Sequence, residues 1–375
     1  MKTEKLIKEF KKNKLGPYIE VPCSILRPMI EGLMRDTECE VINPVNEAIA
    51  MGLAAGSFLA TKRIPVVLMQ NSGLCNTLNA ITSLNQIYKL PVLYIIAWRG
   101  QPSINDAPEH TIMGLKSEEI LKTFDIPYEI LIEESYKDQI ETIIKRIRKT
   151  NLPGALLLKH GLLDKSVSKE KRKTKETGIS RAEAVNTIIS NADEKAFYVT
   201  TNGFISREAF DAISNNKQYV KNPAFYMLGS MGHALPLAIG VEKYLRSKKR
   251  VIVLDGDGGC LMHLGAMASV GQGRGAAKKL IHIVLDNGVY ASTGNQPTVS
   301  GDVDFRKIAR GCGYKNVHSV NRTSLLKQII KRLLRISSGP SFVHVRINDS
   351  GELPKSRVSS KYTCEEIKEN FVKEI

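Results

Sequence analysis

The strand-length apolar runs of this chain restrict its fold more than any other feature. Ile64–Met69 (IPVVLM) and Leu90–Trp98 (LPVLYIIAW) are apolar almost without interruption, and Gly154–His160 (GALLLKH) reads as the last strand of the first half. A strand that is apolar on both faces is buried on both, as in a parallel sheet covered by helices. Helix-sized segments separate these runs, beginning with a small-residue helix after the strand expected at Glu40–Pro44. The second half repeats the grammar with AFYVTT, RVIVLD, LIHIVLD and SFVHVRI. Its opening helix, SRAEAVNTIISNA, places Ser180 as N-cap and Glu183 at the capping-box position. Strand–helix alternation in both halves predicts an α/β protein with two doubly wound, mostly parallel sheets. The expected domains are 1–162 and 179–375. The polar, lysine-rich stretch 163–178 has no apolar periodicity and reads as a linker.

With 375 residues, 42% of them apolar and 25% charged, the chain can form two ordinary soluble cores. No apolar run reaches membrane-span length. The N-terminal MKTEKLIKEFKKNK lacks the apolar core of a signal peptide and reads as an amphipathic helix, so a cytoplasmic location is expected. Six scattered cysteines form no CxxC pair and show no metal-ligand spacing, so neither disulfides nor a structural zinc site is expected. A net charge of +16 fits nucleic acid, a polyanionic ligand or simply solvated lysines. No aromatic-interleaved basic patch accompanies it, so a nucleic-acid role would rest on charge alone.

Ligands of parallel α/β sheets gather at the carboxyl ends of the strands. After RVIVLD stands Gly256-Asp257-Gly258-Gly259, and after LIHIVL stands Asp286-Asn287-Gly288-Val289. Adjacent parallel strands could bring Asp257 and Asn287 together. Hard oxygen ligands suit Mg²⁺, and glycines let backbone N–H groups approach a diphosphate. The same residues could merely cap two helices. In the first half, Glu47 heads the small-residue segment Glu47–Gly56; a first-turn glutamate is also what the helix dipole favours. Arg99 follows a strand, where its guanidinium could clamp an anion. Arg207 is a second basic candidate that reads better as a surface ion pair.

GDG, a spacer of 27 residues and a D/N-N pair resemble the metal–diphosphate signature of thiamine-diphosphate enzymes. The resemblance implies thiamine diphosphate and Mg²⁺ as cofactors, with Asp257, Asn287 and the Val289 carbonyl as metal ligands. It also implies that Gly256, Gly258 and Gly259 lie against the diphosphate. Asp286 departs from the asparagine more common there. Glu47-x-x-Ala50-x-x-x-Ala54-x-Gly56 matches the family's glutamate helix, which implies that Glu47 hydrogen-bonds the aminopyrimidine and activates the cofactor. Gly229-Ser230-Met231 matches the loop that supports the bent cofactor, although Met231 alone could be an ordinary core residue.

With no third, central domain, the chain resembles the phosphonopyruvate and sulfopyruvate decarboxylases. Met69–Leu84, Trp98–His110, Thr200–Glu208, Gly256–Gly265 and Asp286–Thr298 carry that likeness. It implies a pyrimidine-binding first domain, a diphosphate-binding second domain, and a homo-oligomer, dimer or tetramer, whose active site lies at the subunit interface. The expected substrate is a small anionic 2-oxo acid, phosphonopyruvate first and sulfopyruvate as the alternative. Ser24 and His110 are the expected catalytic groups beside Glu47, and Ser24, Gln70, Asn71 and Arg99 the expected substrate contacts. Trp98-Arg99-Gly100 with Asp106-x-Pro108-x-His110 looks like the phosphonate enzymes, whereas Val21-Pro22-Cys23-Ser24 looks more like the sulfonate enzymes. A thiamine-diphosphate synthase or oxidase, or a non-catalytic anion- or nucleic-acid-binding protein, ranks below these. A protein that had lost catalysis would be expected to lack Glu47, Asp257 or Asn287, and all three are present.

Overall fold

The computed structural model describes residues 1–164, 178–192, 196–215, 224–271, 277–348, 354 and 356–375. The chain divides into two compact units: Met1–Lys169 with Thr293–Gln296, and Glu170–Ser292 with Pro297–Ile375. Most of the stretch expected as a linker, 165–177, lies outside the described residues.

In the first unit the elements are α1 (Thr3–Lys12), β1 (Tyr18–Glu20), α2 (Arg27–Arg35), β2 (Val41–Ile42), α3 (Glu47–Thr61) and β3 (Val66–Gln70). They continue with α4 (Asn71–Ala80), β4 (Leu93–Ala97), α5 (Thr111–Thr123), β5 (Tyr128–Ile130), α6 (Tyr136–Thr150) and β6 (Gly154–Leu158). The strands form one sheet in the order β2-β1-β3-β4-β6-β5, and every pairing is parallel. Period-two alternation gives this sheet two apolar faces. Val66, Leu68, Leu93, Ile95, Leu156 and Leu158 meet α1, α2 and α6 on one side. Val67, Met69, Tyr94, Ile96, Ala155 and Leu157 meet α3, α4 and α5 on the other. Each fully buried Leu or Ile stabilises by roughly 1.5–3 kcal/mol, which is why these runs tolerate so little polarity. The N-terminal segment is the expected amphipathic helix, burying Leu6, Ile7 and Phe10 while Lys5, Lys8 and Lys12 stay exposed.

The second unit runs β7 (Ile179–Ser180), α7 (Arg181–Ala192), β8 (Ala196–Thr200), α8 (Phe204–Ser214), β9 (Ala224–Tyr226), α9 (Ala234–Tyr244), β10 (Arg250–Gly256) and α10 (Asp257–Met262). There follow α11 (Ala266–Val270), β11 (Leu280–Asp286), β12 (Val289–Tyr290), β13 (Gln296–Pro297), α12 (Phe305–Gly311), β14 (Asn316–Val320), α13 (Thr323–Arg335), β15 (Ser341–Asn348) and α14 (Cys364–Val372). The main sheet has the order β9-β8-β10-β11-β15-β14, with β7 paired to β15, and its recorded pairings are parallel. Ser180 caps α7 as expected, its hydroxyl accepting from the Glu183 N–H at 3.2 Å. Counting strands within each main sheet, with the short β7 set aside and β12 and β13 paired only with each other, both sheets follow the same order: second, first, third, fourth, sixth, fifth.

Candidate active site

The first unit gathers its polar residues at the carboxyl ends of β1, β3 and β4, which are neighbours in the sheet. Ser24 follows β1 and is exposed; Gln70 ends β3; Asn71 opens α4; Arg99 stands two residues beyond β4. One Arg99 nitrogen donates to Ser24 Oγ at 3.3 Å. Its other two point into Asp106, Nε to Oδ2 at 2.7 Å and Nη2 to Oδ1 at 2.5 Å. Asp106 also accepts from the Gly100 and Ala107 N–H groups. Burial alone would raise its pKa, but Arg99 and those donors outweigh burial and hold it well below the carboxylate range. Most of the guanidinium fork is therefore held by a carboxylate of the same loop, and a single N–H edge faces Ser24.

Asn71 is fully buried. Its amide donates to the Arg99 carbonyl at 2.8 Å and to Ser117 Oγ at 2.9 Å, and its oxygen accepts from the Arg99 N–H. These bonds tie the end of β4 to α4. Gln70 Nε2 donates to Ser72 Oγ, and its oxygen lies 3.5 Å from Cys23 Sγ. His110 ends a short 3-10 turn before α5. Desolvation first, then the Arg99 charge, lower its pKa to about 4. The imidazole is neutral at pH 7. Gly100 makes this corner possible: it has φ +64°, and a Cβ there would sit 2.2 Å from the His110 carbonyl oxygen.

Glu47 opens α3, where Asn46 supplies the N-cap by accepting from the Ile49 N–H at 2.9 Å. The carboxylate is buried, and Oε2 accepts from Asn76 Nδ2 at 3.0 Å. Gly73 lies against it so closely that a Cβ would fall 2.4 Å from Oε1. Asn76 and Gly73 both belong to α4, the helix that Asn71 opens. Residue-by-residue reading singled out neither, although both lie in a stretch that carried the resemblance.

In the second unit the strand register does what the spacing required. Gly256 pairs with Leu285, so Asp257 and the Asp286–Val289 loop emerge side by side. Thr298 links them, its N–H donating to the Gly288 carbonyl at 2.9 Å and its hydroxyl to Asp257. Burial, then the nearby Asp286 charge, push the Asp257 pKa up to about 7 despite the Thr298 and Ser300 hydroxyls. Asp286 faces elsewhere. It accepts from His344 Nε2 at 2.8 Å and Ser300 Oγ at 2.8 Å, and these contacts outweigh its burial and lower its pKa. The Asn287 side-chain oxygen accepts from the Val289 N–H at 3.3 Å. Gly258 packs on the Tyr290 ring, 2.4 Å from where a Cβ would be.

Gly229-Ser230-Met231 forms the turn before α9. Ser230 has φ +54°, and its hydroxyl lies 3.2 Å from His233 Nδ1. The His233 ring packs at 4.5 Å, tilted by 53°, against that of His263, the residue after α10, so this turn adjoins the GDGG turn. A buried carboxylate with a pKa near neutrality, beside hydroxyl and amide oxygens, is a donor set that fits a hard divalent cation carrying phosphate. The glycine turn at the head of α10 fits the phosphate.

The family models for the "Thiamine pyrophosphate enzyme, N-terminal TPP binding domain" and the "Thiamine pyrophosphate enzyme, C-terminal TPP binding domain" match residues 3–120 and 204–345. A phosphonopyruvate decarboxylase of Streptomyces viridochromogenes is 32% identical over 345 residues, 87% of this chain and 83% of the relative. The chain belongs to the thiamine-diphosphate-dependent decarboxylases. A sulfopyruvate decarboxylase of Methanosarcina acetivorans is 28% identical over 365 residues, 91% of this chain and 90% of that one. A sulfopyruvate decarboxylase subunit beta of Methanothermobacter thermautotrophicus is 31% identical over 199 residues, 52% of this chain and 96% of the subunit. This decarboxylase thus has the two thiamine-diphosphate-binding α/β domains, and the described residues form no third. Among the described residues no helix is long and apolar enough to cross a membrane.

Proposed function

We propose that this decarboxylase converts phosphonopyruvate to phosphonoacetaldehyde and CO₂. The observation that carries the reading is the Arg99–Ser24 pair at the strand ends: a guanidinium N–H and a hydroxyl 3.3 Å apart, suited to a tetrahedral anion. The likeness to phosphonopyruvate decarboxylase over most of both chains supports it. Cys23, which looks like the sulfonate enzymes, favours sulfopyruvate as the second reading. Its thiol is buried and its pKa raised by burial, which weakens the case for its touching substrate.

Thiamine diphosphate supplies the nucleophile that adds to the ketone and the sink for the electrons left by CO₂. The chain's own residues bind and orient. Glu47 holds the aminopyrimidine, positioned by Asn76 and Gly73. Asp257, Asn287 and the Val289 carbonyl hold Mg²⁺ against the diphosphate, with Gly256, Gly258 and Gly259 beside it and the Gly229–Met231 turn beneath the cofactor. Ser24, Gln70 and Arg99 receive the substrate's anionic groups, while Asn71 fixes the loop that bears Arg99. His110, neutral at pH 7, accepts a proton before it gives one. The active protein is a homo-oligomer, consistent with the exposed Ile49, Leu53 and Leu59 on the helix that Glu47 opens.

The test is CO₂ release by the purified protein with thiamine diphosphate and Mg²⁺, comparing phosphonopyruvate, sulfopyruvate and pyruvate at equal concentration. Preference for phosphonopyruvate supports the proposal. Preference for sulfopyruvate replaces it with the second reading, and turnover of pyruvate alone rejects both.

A further inference from the structure

A second group of ligand-type side chains lies in the core of the second unit. Asp255 on β10, Cys260 on α10 and His282 on β11 are all buried, and their ligand atoms lie within 4.8 Å of one another. His282 Nδ1 is 3.1 Å from the Tyr314 hydroxyl, which leaves Nε2 facing Asp255 Oδ2 at 3.4 Å. That separation is long for a hydrogen bond between an imidazole and a carboxylate. It matches the edge of a coordination tetrahedron, since two bonds of about 2.05 Å at the tetrahedral angle span about 3.4 Å. A metal-bound imidazole is also typically oriented through its other nitrogen, as Tyr314 does here. The nearest recorded partner of the Cys260 sulfur is the Met267 thioether at 3.8 Å, a weak contact for a buried thiol.

We propose that Asp255 Oδ2, Cys260 Sγ and His282 Nε2 supply the three protein ligands of a divalent-metal site of the zinc type, with a water as the fourth ligand, distinct from the Mg²⁺ site of the proposed function. A carboxylate and a thiolate together neutralise one divalent ion, so the filled site adds no net charge to the core. Sulfur and imidazole favour zinc over magnesium, whereas the oxygen donors around Asp257 have the opposite preference. Asp255 and Cys260 bracket the Gly256–Gly259 turn, so one ion would pin both of its ends. Sequence spacing hides the site, because four residues separate Asp255 from Cys260 and twenty-one separate Cys260 from His282. The absence of a structural zinc site expected from cysteine spacing therefore does not hold under this proposal. Strand register makes the cluster, bringing His282 beside Val253, two residues before Asp255.

The full-length protein, freed of metal by a chelator, is titrated with Co²⁺ in excess Mg²⁺. A single tight equivalent with tetrahedral visible bands and a thiolate-to-cobalt charge-transfer band in the near ultraviolet is expected. Cys260→Ser should lose the charge-transfer band, and Tyr314→Phe should bind cobalt about 10-fold more weakly. Zinc should displace the cobalt and abolish the spectrum. Wild-type protein that shows no charge-transfer band at saturating cobalt overturns the site, leaving a metal-free Tyr314–His282–Asp255 chain. An unchanged band in Cys260→Ser also overturns it. If that variant fails to fold, the wild-type spectrum decides.

Discussion

Glu20 is the last residue of β1 and is fully buried, and among the described residues neither of its carboxylate oxygens has a hydrogen-bond partner. It shares the sheet face of Tyr18 and pairs in register with Leu68, both in the apolar core beneath α1, α2 and α6. Desolvation raises its pKa from 4.5 to about 8. At about 1.4 kcal/mol per pH unit, the gap between folded and unfolded pKa values corresponds to about 5 kcal/mol. The sign follows from proton counting. Between pH 4.5 and 8 the folded chain holds this proton and the unfolded chain releases it, so stability falls as pH rises and levels off above 8. Glu20→Gln removes the titration and nearly keeps the volume. The variant should be close to wild type near pH 5 and gain on it steadily to pH 8, by several kcal/mol. Urea unfolding followed by Trp98 fluorescence reads this directly, because Trp98 is the only tryptophan and is buried in the same unit. A stability difference between variant and wild type that stays constant from pH 5 to 8 would refute the reasoning.

Gly73→Ala places a methyl 2.4 Å from Glu47 Oε1, which must shift, and kcat should fall at least ~100-fold with the circular dichroism spectrum unchanged. Arg99→Lys cannot grip Asp106 and Ser24 together, so substrate KM should rise about 10-fold or more while the Mg²⁺ requirement stays put. Asp257→Asn removes the charge that offsets the cation, and the Mg²⁺ concentration for half-maximal activity should rise at least ~10-fold. His110 titrates near pH 4, so His110→Asn should lower the rate by a constant factor from about pH 5.5 to 8 without moving the profile.

Where burial is complete, the fold was legible in the residues. The central strands β3, β4, β6, β10 and β11 bury apolar residues on both faces and could be read directly. The edge strands were not. β5 is partly exposed throughout, β14 is Asn-Val-His-Ser-Val, and β9 is only three residues long; their place depends on neighbours rather than on pattern. Asp257 and Asn287 could be paired from their spacing because both stand directly after buried strands. Thr298, Ser300 and His344 reach that neighbourhood from distant segments, and spacing cannot reveal such partners. Asp106 was visible in the loop after Arg99, but nothing local said that it would take two of the three guanidinium nitrogens.

The shared strand order has a consequence for how such a protein is encoded. Among the described residues, neither sheet borrows a strand from the other half: one is complete at Leu158, and the other begins at Ile179. A reading frame divided between them would still yield two polypeptides, each holding every strand its own sheet uses. Translation as one chain therefore acts on stoichiometry, delivering the two halves in equal number from every message.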